Sequence, residues 1–183
     1  MTAAARVWAR DVLHVWFHVL RPSDWYGGGP AVDELLRRRF ADDWRQLRHQ
    51  PPTRFLGEPK TALAAIILFD QVPRNLFRDS SKAFATDSLA RDLTYGVLSK
   101  GWLARFNRHE RQFALMPLMH SERIADQRAA VSLFRDHAPA AFSFARSHHA
   151  MIARFGRFPH RNAVLGRTST TMEKRAVAAG FSW

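Results

Sequence analysis

The sequence predicts an all-α fold, with about eight helices packed as antiparallel pairs around one core. Three observations predict it. Apolar residues recur every three or four positions through most of the chain, which is the period of a helix with one buried face. Alternating β-branched runs bounded by turn dipeptides, the mark of strands, are nearly absent. Prolines, glycines and capping pairs punctuate the periodic stretches, where helices start and stop.

In chain order, Val12, Trp16 and Val19 with Leu13, Phe17 and Leu20 form the apolar face of a first helix. Arg21-Pro22 and the Gly27-Gly28-Gly29 turn end it. Pro30 suits the first turn of a second helix, where its missing N–H would be unpaired anyway. The stripe of that helix is Val32, Leu36, Phe40, Trp44 and Leu47, and it stops before Pro51-Pro52. Pro59 opens a third, apolar on every side from Thr61 to Phe69, which is therefore expected at the buried centre. A fourth runs from about Ala83 to Lys100, with Leu89, Leu93 and Val97 inward and Gly101 at its stop. Asn107 and Glu110 are spaced as a capping box for a fifth. Ser121 is placed to cap a sixth, with Glu122 near the positive end of its dipole. Pro139 opens a seventh, whose stripe is Ala141, Ala145, His148, Ile152 and Phe155. Thr170 and Glu173 make a second capping box for a short last helix that ends at Gly180.

The 183 residues suit a single domain, 1–183, and suffice to bury a real core. There is no linker, low-complexity segment or convincing fixed repeat period. The absence of cysteine excludes a disulfide framework, thiolate metal sites and a cysteine nucleophile. The longest stretch without Asp, Glu, Lys or Arg is residues 112–121, far short of the roughly 20 apolar residues of a membrane span. Arg6, Arg10 and Asp11 interrupt the start before any signal-peptide core develops, so a cytoplasmic protein is expected.

The formal charge is +12, from 28 Lys+Arg against 16 Asp+Glu. Residues 1–60 and 61–120 each carry +3, and residues 121–183 carry +6. Only Lys60, Lys82, Lys100 and Lys174 are lysine. Scattered arginine is what a GC-rich genome produces, so the total says less than the clustering. Arg37-Arg38-Arg39, with Glu34 and Asp42 close by, reads as a solvated helix face.

Three polar segments do not fit the core pattern. The first, Asp70-Gln-Val-Pro-Arg-Asn-Leu-Phe-Arg78, directly follows the all-apolar helix. Asp70, Arg74 and Arg78 share one face, and Gln71 and Asn75 the next. Pro73 cannot donate to the Phe69 carbonyl, so a kink or restart is expected there. In the second, Met116-Pro-Leu-Met-His-Ser-Glu122, Pro117 is expected to interrupt a helix beside His120 and Glu122. A histidine and a glutamate at such a junction suit general acid–base work. In the third, Arg157, His160, Arg161, Asn162 and Arg167 crowd a loop bounded by Gly156 and Gly166. Arginine forks beside exposed backbone donors make an anion site. His14 and His18, and the His148-His149 pair, lack a third ligand nearby in sequence, so no metal is expected. No HExxH, Walker, G-x-G-x-x-G or G-x-S-x-G motif occurs, and no cofactor is predicted.

These segments carry a resemblance. The chain resembles a largely bacterial family known as domain of unknown function 924. The matching residues are Leu68–Arg78, Ala83-Phe-Ala-Thr-Asp87, Met116–Glu122 with Asp126-Gln127, and Arg154–Asn162 with Leu165-Gly-Arg167. Where the family has Ser-Thr-Pro-Glu-Glu, this chain has Ser169-Thr-Thr-Met-Glu173, keeping Thr170 and Glu173 but not the proline. The resemblance implies a fold related to tetratricopeptide-like helical arrays and brings no established activity.

Three functional readings follow. In the first, one polar cleft binds a small anionic ligand, carboxylate or phosphate. Arg74, Arg157, Arg161 and Arg167 hold it, with Asp70, Gln71, Asn75, His148 and Asn162 around them. In the enzymatic version His120 or His160 carries the proton and Glu122 orients or acidifies. The second is a protein–protein module binding an acidic peptide. The third is nucleic-acid binding through the basic last third, where Arg146, Arg154, Arg157 and Arg161 alternate with Phe144, Phe155 and Phe158.

Overall fold

A computed structural model describes residues 7–26 and 28–180; Gly27 of the expected glycine turn and Arg6 lie outside the described residues. Among those residues there are nine α-helices, several short 3₁₀ turns and no strand. The predicted all-α class holds.

Helix α1 (Val7–His14) runs into a π-helical turn, Val15–Val19, closed by the Leu20 N–H donating to the Val15 carbonyl at 2.9 Å. Val12, Trp16 and Leu20 are buried as expected, but Val19 is 50% exposed. The wider turn rotates the backbone away from the 3.6-residue register on which the stripe was drawn. Helix α2 (Gly29–Leu47) has Pro30 in its first turn and buries Leu36, Phe40 and Trp44. Helix α3 (Pro59–Asp70) is buried at every position from Thr61 to Asp70. It is the predicted centre, packed by α1, α5 (Asp87–Ser99) and α6 (Arg108–Met119).

The chain breaks at Gln71 and restarts as the short helix α4 (Val72–Leu76), with Pro73 in its first turn. That is the expected restart. The stretch at Ala83 is a 3₁₀ turn, Ser81–Phe84, and α5 begins only at Asp87. Helix α5 ends before Gly101, whose φ of 63° is the left-handed backbone a glycine allows without strain.

The capping box of α6 is formed: Asn107 and Glu110 each accept from the other's backbone N–H at 3.0 Å. Pro117 does not interrupt α6. The helix loses one bond to the Phe113 carbonyl there and ends two residues later in any case. Ser121 does not cap α7 (Ile124–His137), because Arg123 occupies that position. The Ser121 hydroxyl instead donates to Asp126 at 2.6 Å. Helix α8 (Phe142–Phe155) follows a 3₁₀ turn at Pro139–Ala141 and packs with α6 against α7. The short helix α9 (Thr171–Ala178) starts from the predicted Thr170–Glu173 box.

The main core gathers Trp16, Phe40, Phe55, Phe69, Phe113 and Phe134, all nearly inaccessible. Each such side chain contributes about 2–3 kcal/mol by burial. Trp16 and Phe55 meet Phe113 and Phe69 edge to face, at 5.4 and 5.3 Å. A smaller cluster of Met151, Ile152, Phe158 and Ala176 joins α8 to α9. No helix among the described residues is long and apolar enough to cross a membrane.

Candidate functional site

The most buried helix delivers a carboxylate. Asp70 ends α3 with no exposed surface. The backbone leaves helical register one residue later, and its side chain is met by three residues, His120, Gln71 and Arg74. His120 Nδ1 lies 2.8 and 3.0 Å from the two carboxylate oxygens. The Gln71 amide donates to Oδ2. Arg74 Nη1 stands 3.4 Å from Oδ1 and also donates to the Asp70 carbonyl. Arg74 then grips Asp87 with both Nη nitrogens, at 2.9 and 3.0 Å.

Asp87, at the start of α5, faces a second cation: Arg161 Nη1 lies 3.6 Å from Oδ2. That separation is an ion pair but too long for a hydrogen bond. Arg161 is 8% exposed at its side chain, and its Nε is sealed without an acceptor. The rings of Phe84 and Phe158 lie against its guanidinium carbon, at 4.6 and 4.5 Å. His148, on α8, completes the cluster. Its ring is 6.3 Å from that of His120 and 5.5 Å from Phe158, with Nδ1 2.8 Å from the Phe144 carbonyl. His160 lies beside Phe158, ring to ring at 5.7 Å.

The remaining sequence-derived residues are engaged elsewhere. Glu122 accepts both Arg167 Nη nitrogens at 2.8 and 3.0 Å and the Phe158 N–H at 2.8 Å. It therefore ties the loop after α8 to the start of α7 and does not partner His120. Arg157 holds Glu173 at 2.6 and 3.0 Å and the Thr168 carbonyl at 2.9 Å. Asn162 donates to the Ser169 hydroxyl at 3.0 Å, and Asn75 to the Gln71 carbonyl at 3.0 Å. Arg78 turns away to Asp33, at 2.5 and 2.8 Å.

The electrostatics follow from these contacts. Burial opposes charge on Asp70, but Arg74 and His120 outweigh it and hold the carboxyl well below its usual range. Burial pushes His120 below the ordinary imidazole value; Asp70 opposes this, and Arg74 and Arg161 add to it. The ring is thus neutral near pH 7. An ionised carboxylate can only accept, so the ring proton sits on Nδ1 and the lone pair on Nε2. Among the described residues nothing hydrogen-bonds to that Nε2, and the side chain is 12% exposed.

Burial and the neighbouring cations push His148 down to about 3 and His160 to about 4. Burial and Arg74 bring Arg161 down to about 10. Arg74, Arg78 and Arg157, held by carboxylates, move the other way. Arg161, buried and held by one ion pair without a hydrogen bond, is less compensated than those three.

Asp87, Phe84 and Phe158 are absent from the sequence-derived site. Asp87 falls inside the fourth helix expected from about Ala83, and Phe158 among the rings that alternate with arginine in the nucleic-acid reading. The signal that points to Asp87 is the charge balance of the polar segments, where Arg74 and Arg161 together need more carboxylate than Asp70 provides.

The fold and this geometry define an all-helical protein built around a buried aspartate–histidine–arginine centre. The chain belongs to the family described as bacterial protein of unknown function, DUF924, whose profile matches residues 12–180. This bears out the resemblance carried by the motifs. It is similar to a solved structure, a protein of unknown function from Agrobacterium tumefaciens. The two share 31% identity and a TM-score of 0.90, over 98% of this chain and all of the other. No curated protein matches it.

Proposed function

We propose that the protein binds a small anionic ligand at Arg161 and that His120 accepts a proton from that ligand or from a water beside it. One observation carries this reading: two polar groups in the same cluster have unsatisfied capacity. The Arg161 guanidinium makes no hydrogen bond to the described residues, and the Nε2 of His120 receives none. Asp87, Arg74 and Asp70 join the two groups. A buried, under-compensated cation attracts an anion from solution. Asp70 fixes the tautomer and orientation of His120, as the aspartate of an Asp–His pair does in acyl transfer.

In this reading the anion contact narrows from four arginines to one, since Arg74, Arg157 and Arg167 are held by Asp87, Glu173 and Glu122. The same pairings weigh against an acidic peptide or a nucleic acid, both of which need those arginines. The protein acts as one domain in the cytoplasm on a small molecule.

The test is a titration with acetate and with inorganic phosphate at millimolar concentration, followed through the His120 ring resonances by NMR. At least one of the anions shifts them, and Arg161→Met abolishes the shift. Unmoved His120 resonances with both anions refute the reading.

A further inference from the structure

We propose that the anion taken at Arg161 is a monocarboxylate, presented edge-on to the guanidinium past the ring of Phe84 and beside the imidazole of His120. This rests on the anion-binding reading above and names its substrate class.

The argument starts from which parts of Arg161 remain reachable. Two phenyl faces lie against its central carbon, at 4.6 and 4.5 Å. They shield the guanidinium carbon from water. The Nε is sealed from solvent. Nη1 leans toward Asp87 at 3.6 Å without a hydrogen bond. What remains is the Nη edge, approached in the plane of the group. Two coplanar oxygens match that edge, which is why arginine and carboxylate pair as fork on fork.

A phosphate also offers two oxygens, but it brings further charged oxygens into surroundings that Phe84 and Phe158 keep apolar, where their desolvation is costly. Net charge selects in the same direction. Asp70 and Asp87 already place two carboxylates beside Arg74 and Arg161. A monoanion supplies what Asp87 leaves uncompensated on Arg161, whereas a dianion adds repulsion from both aspartates. The part-exposed ring of Phe84 suits an apolar body behind the carboxylate. The lone pair of His120 Nε2 faces a hydroxyl of that body or a water.

Benzoate and phenyl phosphate share one ring body and differ in the acid, so the pair tests the selection on the unaltered full chain by calorimetry at pH 7.5. Benzoate binds at least about tenfold tighter than phenyl phosphate, and Arg161→Lys, which keeps the charge but loses the planar fork, weakens benzoate at least about tenfold. Phe84→Leu removes one face and narrows the preference, which covers the case in which the lysine variant does not fold. Phenyl phosphate binding as well as benzoate or better overturns the carboxylate assignment and leaves the anion reading standing. Benzoate affinity unchanged in both variants overturns the placement at Arg161. Binding of neither compound overturns both readings.

Discussion

Acid destabilisation should expose the buried histidines. His148 is 4% exposed, with its Nδ1 2.8 Å from the Phe144 carbonyl. Burial first, then the charges of His120, Arg161 and His160, hold it down to about 3. A histidine with an ordinary value of about 6.5 goes from about one-tenth to about nine-tenths protonated between pH 7.5 and 5.5. In the unfolded chain His148 does so; in the fold it stays neutral. The unfolded state therefore binds more protons, so stability falls as pH falls.

Linkage over that interval gives a loss of about 1.4 kcal/mol for this one histidine, whatever its folded value below about 4.5. His160, held to about 4, adds a similar amount. Asp70, Glu122 and Glu173 lie below their usual range and stay ionised across this window. Urea unfolding at pH 7.5 and 5.5, on the unaltered protein and on His148→Gln, isolates the term. The variant should lose about 1.4 kcal/mol less between the two pH values than the parent does. Equal losses would mean that His148 titrates normally in the fold, which would refute its burial among His120, Phe158 and Arg161.

Three other perturbations have definite outcomes. Glu122→Ala leaves the Phe158 N–H and the Arg167 fork without an acceptor and should cost about 2–3 kcal/mol in urea unfolding, while Glu122→Gln, which keeps an oxygen for Phe158, should cost less. Asp87→Asn leaves two largely buried arginines short of a carboxylate and should cost about 3 kcal/mol; adding Arg161→Met should restore part of it, and strict additivity of the two changes would contradict the pairing. Asp70→Asn removes the charge that favours imidazolium, so an NMR titration should find the His120 pKa lower still.

Periodicity carried the helices, and the deviations have local causes. The all-apolar stretch from Thr61 to Phe69 could only be a centre, and it is one. Both capping boxes were readable because the spacing itself states the geometry. Val19 was misplaced because a π turn leaves no mark in a 3.6-residue pattern. Ser121 looked like a cap because its type and position fit, yet its hydroxyl is claimed by Asp126, a partner five residues on. The polar segments were visible as chemistry out of place in apolar surroundings. Which carboxylate meets which arginine was not, because those pairings join residues 13 to 74 apart in the chain through packing alone. Glu122 therefore read as a partner for its sequence neighbour His120, and Asp87 stayed outside the site.

The pairings also decide what chemistry the cluster can support. A general acid at neutral pH needs a proton to give, so a carboxyl in that role has its pKa raised toward 7. Glu122 is moved the other way, since Arg167 and the Phe158 N–H outweigh its burial. It is ionised and immobilised, which suits a brace and not a proton donor. Asp70 is ionised as well, and its oxygens are committed to His120, Gln71 and Arg74. In the proposed function His120, neutral at pH 7 with nothing among the described residues bonded to its Nε2, takes the proton from the ligand or a water. The imidazolium so formed sits against the Asp70 carboxylate, which stabilises it. Arg161 faces the negative charge that the same transfer creates. In that proposed function, one buried aspartate and one under-compensated arginine bias the centre toward taking a proton from a group next to an anion.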